Sequence, residues 1–119
     1  MKKNYKKIDD LWRLAVYKRA GNICEFCGRS GKMHAHHIFS RSNYALRWET
    51  QNGICLCVSH HVLGNLSFHK APAEMMEWIK DKRGEEWYDK LIKDSHIHMK
   101  REAAREKYEP ILKEILQIK

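Results

Sequence analysis

Cys24-Glu-Phe-Cys27, His36-His37-Ile38-Phe39 and Asn52-Gly-Ile-Cys-Leu-Cys57-Val-Ser-His60-His61 are the stretches whose spacing decides the fold of this 119-residue chain. Cys24-x2-Cys27 and Cys57-x2-His60 are two close pairs of soft donors, the way a tetrahedral structural Zn²⁺ is assembled from two loops. Cysteine is also a common buried hydrophobe, but its close pairing with histidine favours the metal reading over both plain burial and disulfides. Cys55 lies two residues before Cys57, on the same face if both are in a strand. The Cys55-x-Cys57 spacing is a poorer chelate than Cys57-x2-His60, so Cys55 is assigned to the core.

Working outward, residues 32–39 and 53–57 predict two strands paired as a hairpin, joined by a polar and aromatic loop over 40–50. Upstream, Ile8, Leu11, Trp12, Ala15 and Val16 repeat at helical spacing with Asp9 and Asp10 near the start, which predicts a helix over 8–20. Gly21 suits its left-handed cap. After His60 the chain should turn helical again, but Gly64, Asn65 and Ser67 make that piece short or irregular. Pro72 opens a further helix with Met75, Trp78 and Ile79 as its apolar stripe and Gly84 as its end. A helix from Glu85 pairs Trp87 with Leu91 and Tyr88 with Ile92. In the tail, Tyr108, Ile111, Leu112, Ile115 and Leu116 repeat helically around Pro110, which either starts a helix or kinks one.

These elements predict an α+β fold in a single domain over 1–119, with a core at 8–70 and a helical extension at 71–119. The chain carries a net charge of +8, and all of the excess falls in residues 1–70, while residues 71–119 are neutral. Such segregation is the electrostatic footprint of a phosphate-backbone binder, although a solvated basic face gives the same count. Residues 1–19 hold no apolar core of signal-peptide or membrane-span length, so a cytoplasmic protein without a membrane partner is expected.

Histidines 34, 36, 37, 60, 61 and 69 crowd a short stretch of the sequence. Buried imidazoles need partners, so this density reads as a site. The order His37, Asn52, His61 resembles the histidine–asparagine–histidine signature of the HNH (ββα-metal) endonucleases over about residues 20–70. Cys24, Cys27, Cys57 and His60 stand where that family often carries a zinc knuckle, and the flavour of the segment is similar to small phage-encoded members. The resemblance implies a ββα-metal core with a knuckle, an N-terminal helix and additional C-terminal helices. It implies a metal-dependent DNA endonuclease that hydrolyses phosphodiester bonds, with DNA as partner.

By the same resemblance His37 is the general base, and His36 and His61 hold one catalytic divalent ion. Asn52 fixes the loop and orients His37 through hydrogen bonds. His36 stands where aspartate is common, which shifts the preferred ion from Mg²⁺ towards Mn²⁺, Ni²⁺ or Zn²⁺. Asn65 stands where some relatives carry a further histidine, and either ligates weakly or caps. His60 replaces a commoner cysteine in the knuckle.

Arg41 and Arg47 flank the loop between the motif residues and are assigned to phosphate contact. Lys70 is added to them, with His69 beside it either touching phosphate or solvated. His34 alternates with His36 and either faces the ion or sits beside or outside the site. Trp12, Trp78 and Trp87 are assigned to the core, and Trp48 is left open. The Leu/Ile-rich tail offers a dimer surface. A zinc-stabilised nucleic-acid-binding module without catalysis is the competing function, but it leaves His36, His37 and Asn52 without a purpose. A zinc deaminase would need His-x-Glu and Pro-Cys-x-x-Cys, and neither occurs.

Overall fold

The computed structural model describes residues 5–118. Residues 1–4, the start of the segment read for a leader, and residue 119 lie outside the described residues. Helix α1, Lys6–Ala20, buries Ile8, Leu11, Trp12, Ala15 and Val16, the stripe its spacing predicts. Gly21 ends it at φ +69°, and its N–H donates to the Lys18 carbonyl at 3.1 Å. The next turn is a tight knuckle in which Cys24 N–H donates to the Arg29 carbonyl and Gly28 N–H to the Cys24 carbonyl.

Strand β1, His34–His37, runs antiparallel to β2, Gly53–Leu56, with His34 opposite Leu56 and His37 opposite Gly53. Both strands are shorter than predicted. Beyond Ile38 the chain is captured by the Asn52 side chain, and beyond Leu56 it turns into the knuckle. This corrects the strand-face reading of the cysteines. Cys55 packs with α1, whereas Cys57, already off the strand, joins Cys24 in a second cluster with Ile54, Leu56, Phe68, Met75 and Ile79. Strand alternation also separates neighbouring histidines: His36 pairs with Ile54 towards that second cluster, and His37 pairs with Gly53 towards α1. A side chain at Gly53 would have its Cβ 2.5 Å from Val16 Cγ2 and 2.7 Å from Trp12 Cζ2, so glycine is what lets α1 lie directly on the sheet.

After β2 comes a single π-helical turn, Ser59–Leu63, closed by Gly64, and then helices α2 (Pro72–Arg83), α3 (Glu85–Ser95) and α4 (Arg101–Leu116). Pro110 lies within a continuous α4. Packing overrides the missing donor here: Ala104, Tyr108 and Leu112 are buried against α1, and the Tyr108 hydroxyl donates to the Ala45 carbonyl at 2.7 Å. Most of the tail face read as a dimer surface is therefore turned onto α1 of the same chain, while Ile111 stays exposed. Trp12 and Trp48 are core, while Trp78 and Trp87 are only partly buried.

One carboxylate ties the layers together. Glu25 accepts from the Cys55 N–H at 2.7 Å, from Arg83 at 3.0 Å and from Arg19 at 3.2 Å, joining the knuckle, β2, α2 and α1. Burial opposes its ionisation, but these donors prevail and hold the carboxyl below the usual carboxylate range. The architecture is α+β: a two-stranded antiparallel sheet with helices around it. Among the described residues no helix is long and apolar enough to cross a membrane.

Candidate metal centres and active site

The knuckle turn brings Cys24 and Cys27 against Cys57, just after β2, and His60, at the start of the π-helical turn. The sulfurs of Cys27 and Cys57 are 3.8 Å apart, and His60 Nδ1 lies 3.8 Å from Cys24 Sγ and 3.3 Å from Cys57 Sγ. A tetrahedron of three sulfurs and one nitrogen with Zn–S of about 2.3 Å and Zn–N of about 2.0 Å has edges of roughly 3.5–3.8 Å, so the donor set and its spacing fit structural zinc, with the His60–Cys57 edge drawn in to 3.3 Å. Phe26 packs between the His60 ring and Trp78, at 4.4 and 4.7 Å. Burial disfavours the Cys24 thiolate, yet the N–H groups of Cys57, Cys27 and Phe26 outweigh it and hold this thiol below its ordinary range. Cys55, by contrast, is pushed up to about 11 by burial and stays a neutral thiol in the core.

On the same side of the sheet, His36, His61 and His69 form a second cluster whose ligand nitrogens all lie within 4.8 Å of one another. His61 Nε2 is 3.2 Å from His36 Nδ1 and 3.1 Å from His69 Nε2. Metal–nitrogen bonds of about 2.0–2.1 Å place neighbouring ligand nitrogens roughly 3.0–3.4 Å apart, so these imidazoles fit one divalent ion. The sequence does not single out His69 as a ligand. It arrives because the segment after the π-helical turn folds back, with Phe68 N–H donating to the His60 carbonyl and His69 N–H to the His61 carbonyl. The only signal is histidine density, because eight residues in an irregular segment fix no direction. Asn65, read as a weak ligand or a cap, is exposed and is not among the residues lining the cleft that holds these histidines.

His34 sits beside the cluster, with its Nδ1 2.9 Å from His61 Nδ1. That bond occupies one nitrogen of His61 and leaves Nε2 for the ion. Burial lowers His36 to about 3 and His61 to about 4, so both rings are neutral and able to ligate at physiological pH.

His37 faces away from these rings. It stacks on Trp12 with ring centroids 3.8 Å apart and planes 8° apart, and Trp12 is itself held by its indole N–H on the Glu49 carbonyl at 2.9 Å. His37 Nε2 lies 2.9 Å from the Arg47 carbonyl, which can only accept, so Nε2 carries the proton and Nδ1 keeps its lone pair. Burial lowers this imidazole to about 4. Asn52 makes no bond to His37. Its amide, fully buried, donates to the carbonyls of Phe39 and Leu46 and accepts from the Phe39 N–H, fixing the loop that presents the Arg47 carbonyl.

His36, His37, His61 and His69 line one cleft of about 760 Å³, walled on the other side by α1. Arg41 lines it and is exposed. Arg47, read as a phosphate contact, is engaged otherwise: its guanidinium makes a bidentate pair with Asp9 at 2.9 and 3.2 Å. The sequence could not show this, because α1 and the loop meet only in the fold. Lys70 is exposed but donates to the Leu63 carbonyl, and it does not line the cleft.

No curated protein and no solved structure matches this chain. Residues 24–63, which hold the knuckle ligands together with His36, His37, Asn52 and His61, match the family model described as HNH endonuclease. Over that third of its length the chain is similar to HNH endonucleases, and its cysteine cluster fits a zinc knuckle.

Proposed function

We propose that the protein is a metal-dependent DNA endonuclease whose residues 1–119 form one domain, with structural zinc on Cys24, Cys27, Cys57 and His60. The observation that carries this reading is the meeting, in one cleft, of three clustered imidazoles with a separate histidine whose free nitrogen is aimed by a backbone carbonyl. His36, His61 and His69 would hold a divalent ion, which supplies Lewis-acid stabilisation of charge on the phosphoryl group and the departing 3′ oxygen. An all-imidazole set favours Mn²⁺, Ni²⁺ or Zn²⁺ over Mg²⁺.

His37 Nδ1 takes a proton from the water that attacks phosphorus; the bond to the 3′ oxygen breaks, leaving a 5′-phosphate and a 3′-hydroxyl protonated from solvent. The Arg47 carbonyl and the Trp12 face hold the His37 ring in place, and Asn52 holds the loop that carries that carbonyl. Arg41 contacts a backbone phosphate at the cleft mouth.

Purified protein incubated with supercoiled plasmid and a panel of divalent ions tests this directly. Nicked or linear product that depends on Mn²⁺, Ni²⁺ or Zn²⁺ is expected. Binding without cleavage under every ion would instead identify a zinc-stabilised binding module.

A further inference from the structure

The neighbouring aspartates of α1 hold different partners. Asp9 is engaged with Arg47 and with the Trp48 indole N–H at 2.7 Å, which anchors the loop. Asp10 holds two cations of its own helix, Lys6 Nζ at 2.8 Å and an Arg13 guanidinium nitrogen at 2.7 Å. Those two side chains are 76% and 48% exposed, and Lys6, Asp10 and Arg13 all line the cleft that contains His36, His37 and His61. Lys6 first, with Arg13 beside it, keeps the Asp10 carboxyl below its ordinary range, so it is an anion at neutral pH.

Exposed pairs of this kind, three and four residues apart on one helix, are weak and exchange readily. A guanidinium or ammonium on a phosphate is charge-assisted, and for arginine often bidentate. A phosphate brought to this wall can therefore take the place of the Asp10 carboxylate on these two cations. The excess positive charge of residues 1–70 also includes this pair.

We propose that Lys6 and Arg13 bind the backbone phosphates of the DNA strand lying in this cleft, and that the strand must displace Asp10 from them. Asp10 is then an internal competitor that lowers affinity. The proposal rests on the nuclease reading of the same cleft and adds to it the wall along which the strand runs.

Fluorescence anisotropy of a labelled random-sequence duplex DNA, titrated with zinc-loaded protein at several salt concentrations and without a second divalent ion, tests it. Arg13→Ala should weaken binding several-fold. The Lys6→Ala/Arg13→Ala double variant should weaken it about tenfold or more, and should flatten the log–log salt dependence by roughly 2, at about 0.9 for each phosphate no longer neutralised. Asp10→Asn should tighten binding several-fold, and Arg13→Lys should keep the salt dependence of the parent. A comparable pair on α4 outside the cleft, Lys113 and Glu109 at 3.6 Å, serves as the control, so that Lys113→Ala and Glu109→Gln change little. The proposal is overturned if Asp10→Asn binds no tighter than Glu109→Gln, or if the double variant has the salt dependence of Lys113→Ala. Should the parent bind and cut DNA while these variants match it, only the α1 assignment fails. Should the parent bind no DNA at all, the nuclease reading fails with it.

Discussion

His60 and His61 are adjacent in the chain and serve two centres of opposite character. His60 turns Nδ1 into a cluster with the sulfurs of Cys24, Cys27 and Cys57, in which two of the cysteines are buried and all four donors are protein atoms. His61 turns Nε2 towards His36 and His69 at the wall of an open cleft, where an ion held by these three imidazoles would remain accessible to solvent. A closed thiolate-rich tetrahedron is suited to holding a fold together, and an open imidazole set to exchanging water and substrate. The π-helical turn starting at Ser59 makes the division possible, because successive side chains leave it in different directions.

The largest effect expected from this contrast is on folding. Removing one knuckle ligand, as in Cys24→Ser, should unfold the domain, because binding free energy at structural zinc in a small unit is largely folding free energy. Circular dichroism of that variant should show a loss of helix, and metal analysis should show zinc in the parent protein. A folded, zinc-free Cys24→Ser protein would remove the distinction between the two centres.

Next in size is chemistry without loss of structure. His37→Ala should keep the fold and the affinity for divalent ion while plasmid cleavage drops roughly 10²–10⁴-fold in turnover, the usual worth of a general base. Cleavage at the parent rate with saturating Mn²⁺ would show that the proton is taken elsewhere.

The smallest and sharpest test is internal to the imidazole cluster. His69→Ala should weaken divalent-ion binding, measured by calorimetry on zinc-loaded protein, more than His34→Ala does. The first variant removes a ligand nitrogen. The second removes only the partner of His61 Nδ1, the kind of outer interaction worth roughly 10–100-fold in affinity. Equal losses would make His34 a ligand in its own right, and no loss from His69→Ala would confine the ion to His36 and His61.

Much of this is legible in sequence because the signals are local. Ligand pairs separated by two residues chelate by themselves, and helical stripes such as Ile8, Leu11, Trp12, Ala15 and Val16 repeat within one element. The Gly21 cap, the Pro72 start and the Gly84 end likewise act within a turn. The strands read too long in sequence, because their limits are set by the Asn52 side chain and by the knuckle, both outside the strands. Arg47 reads as a phosphate contact because its position in the loop is visible and Asp9, far away on α1, is not.

By itself, then, the sequence determined the donor chemistry, the pairing of the knuckle ligands, the helices and the HNH order of His37, Asn52 and His61. Only the tertiary structure decided that His69 completes the imidazole cluster, that Trp12 stacks on His37, that Glu25 joins four elements, and that α4 covers α1. Each of these is a contact between segments distant in the chain. Residue type and short spacing limit such contacts weakly, whereas the burial of two apolar clusters on either side of a four-residue strand pair fixes them.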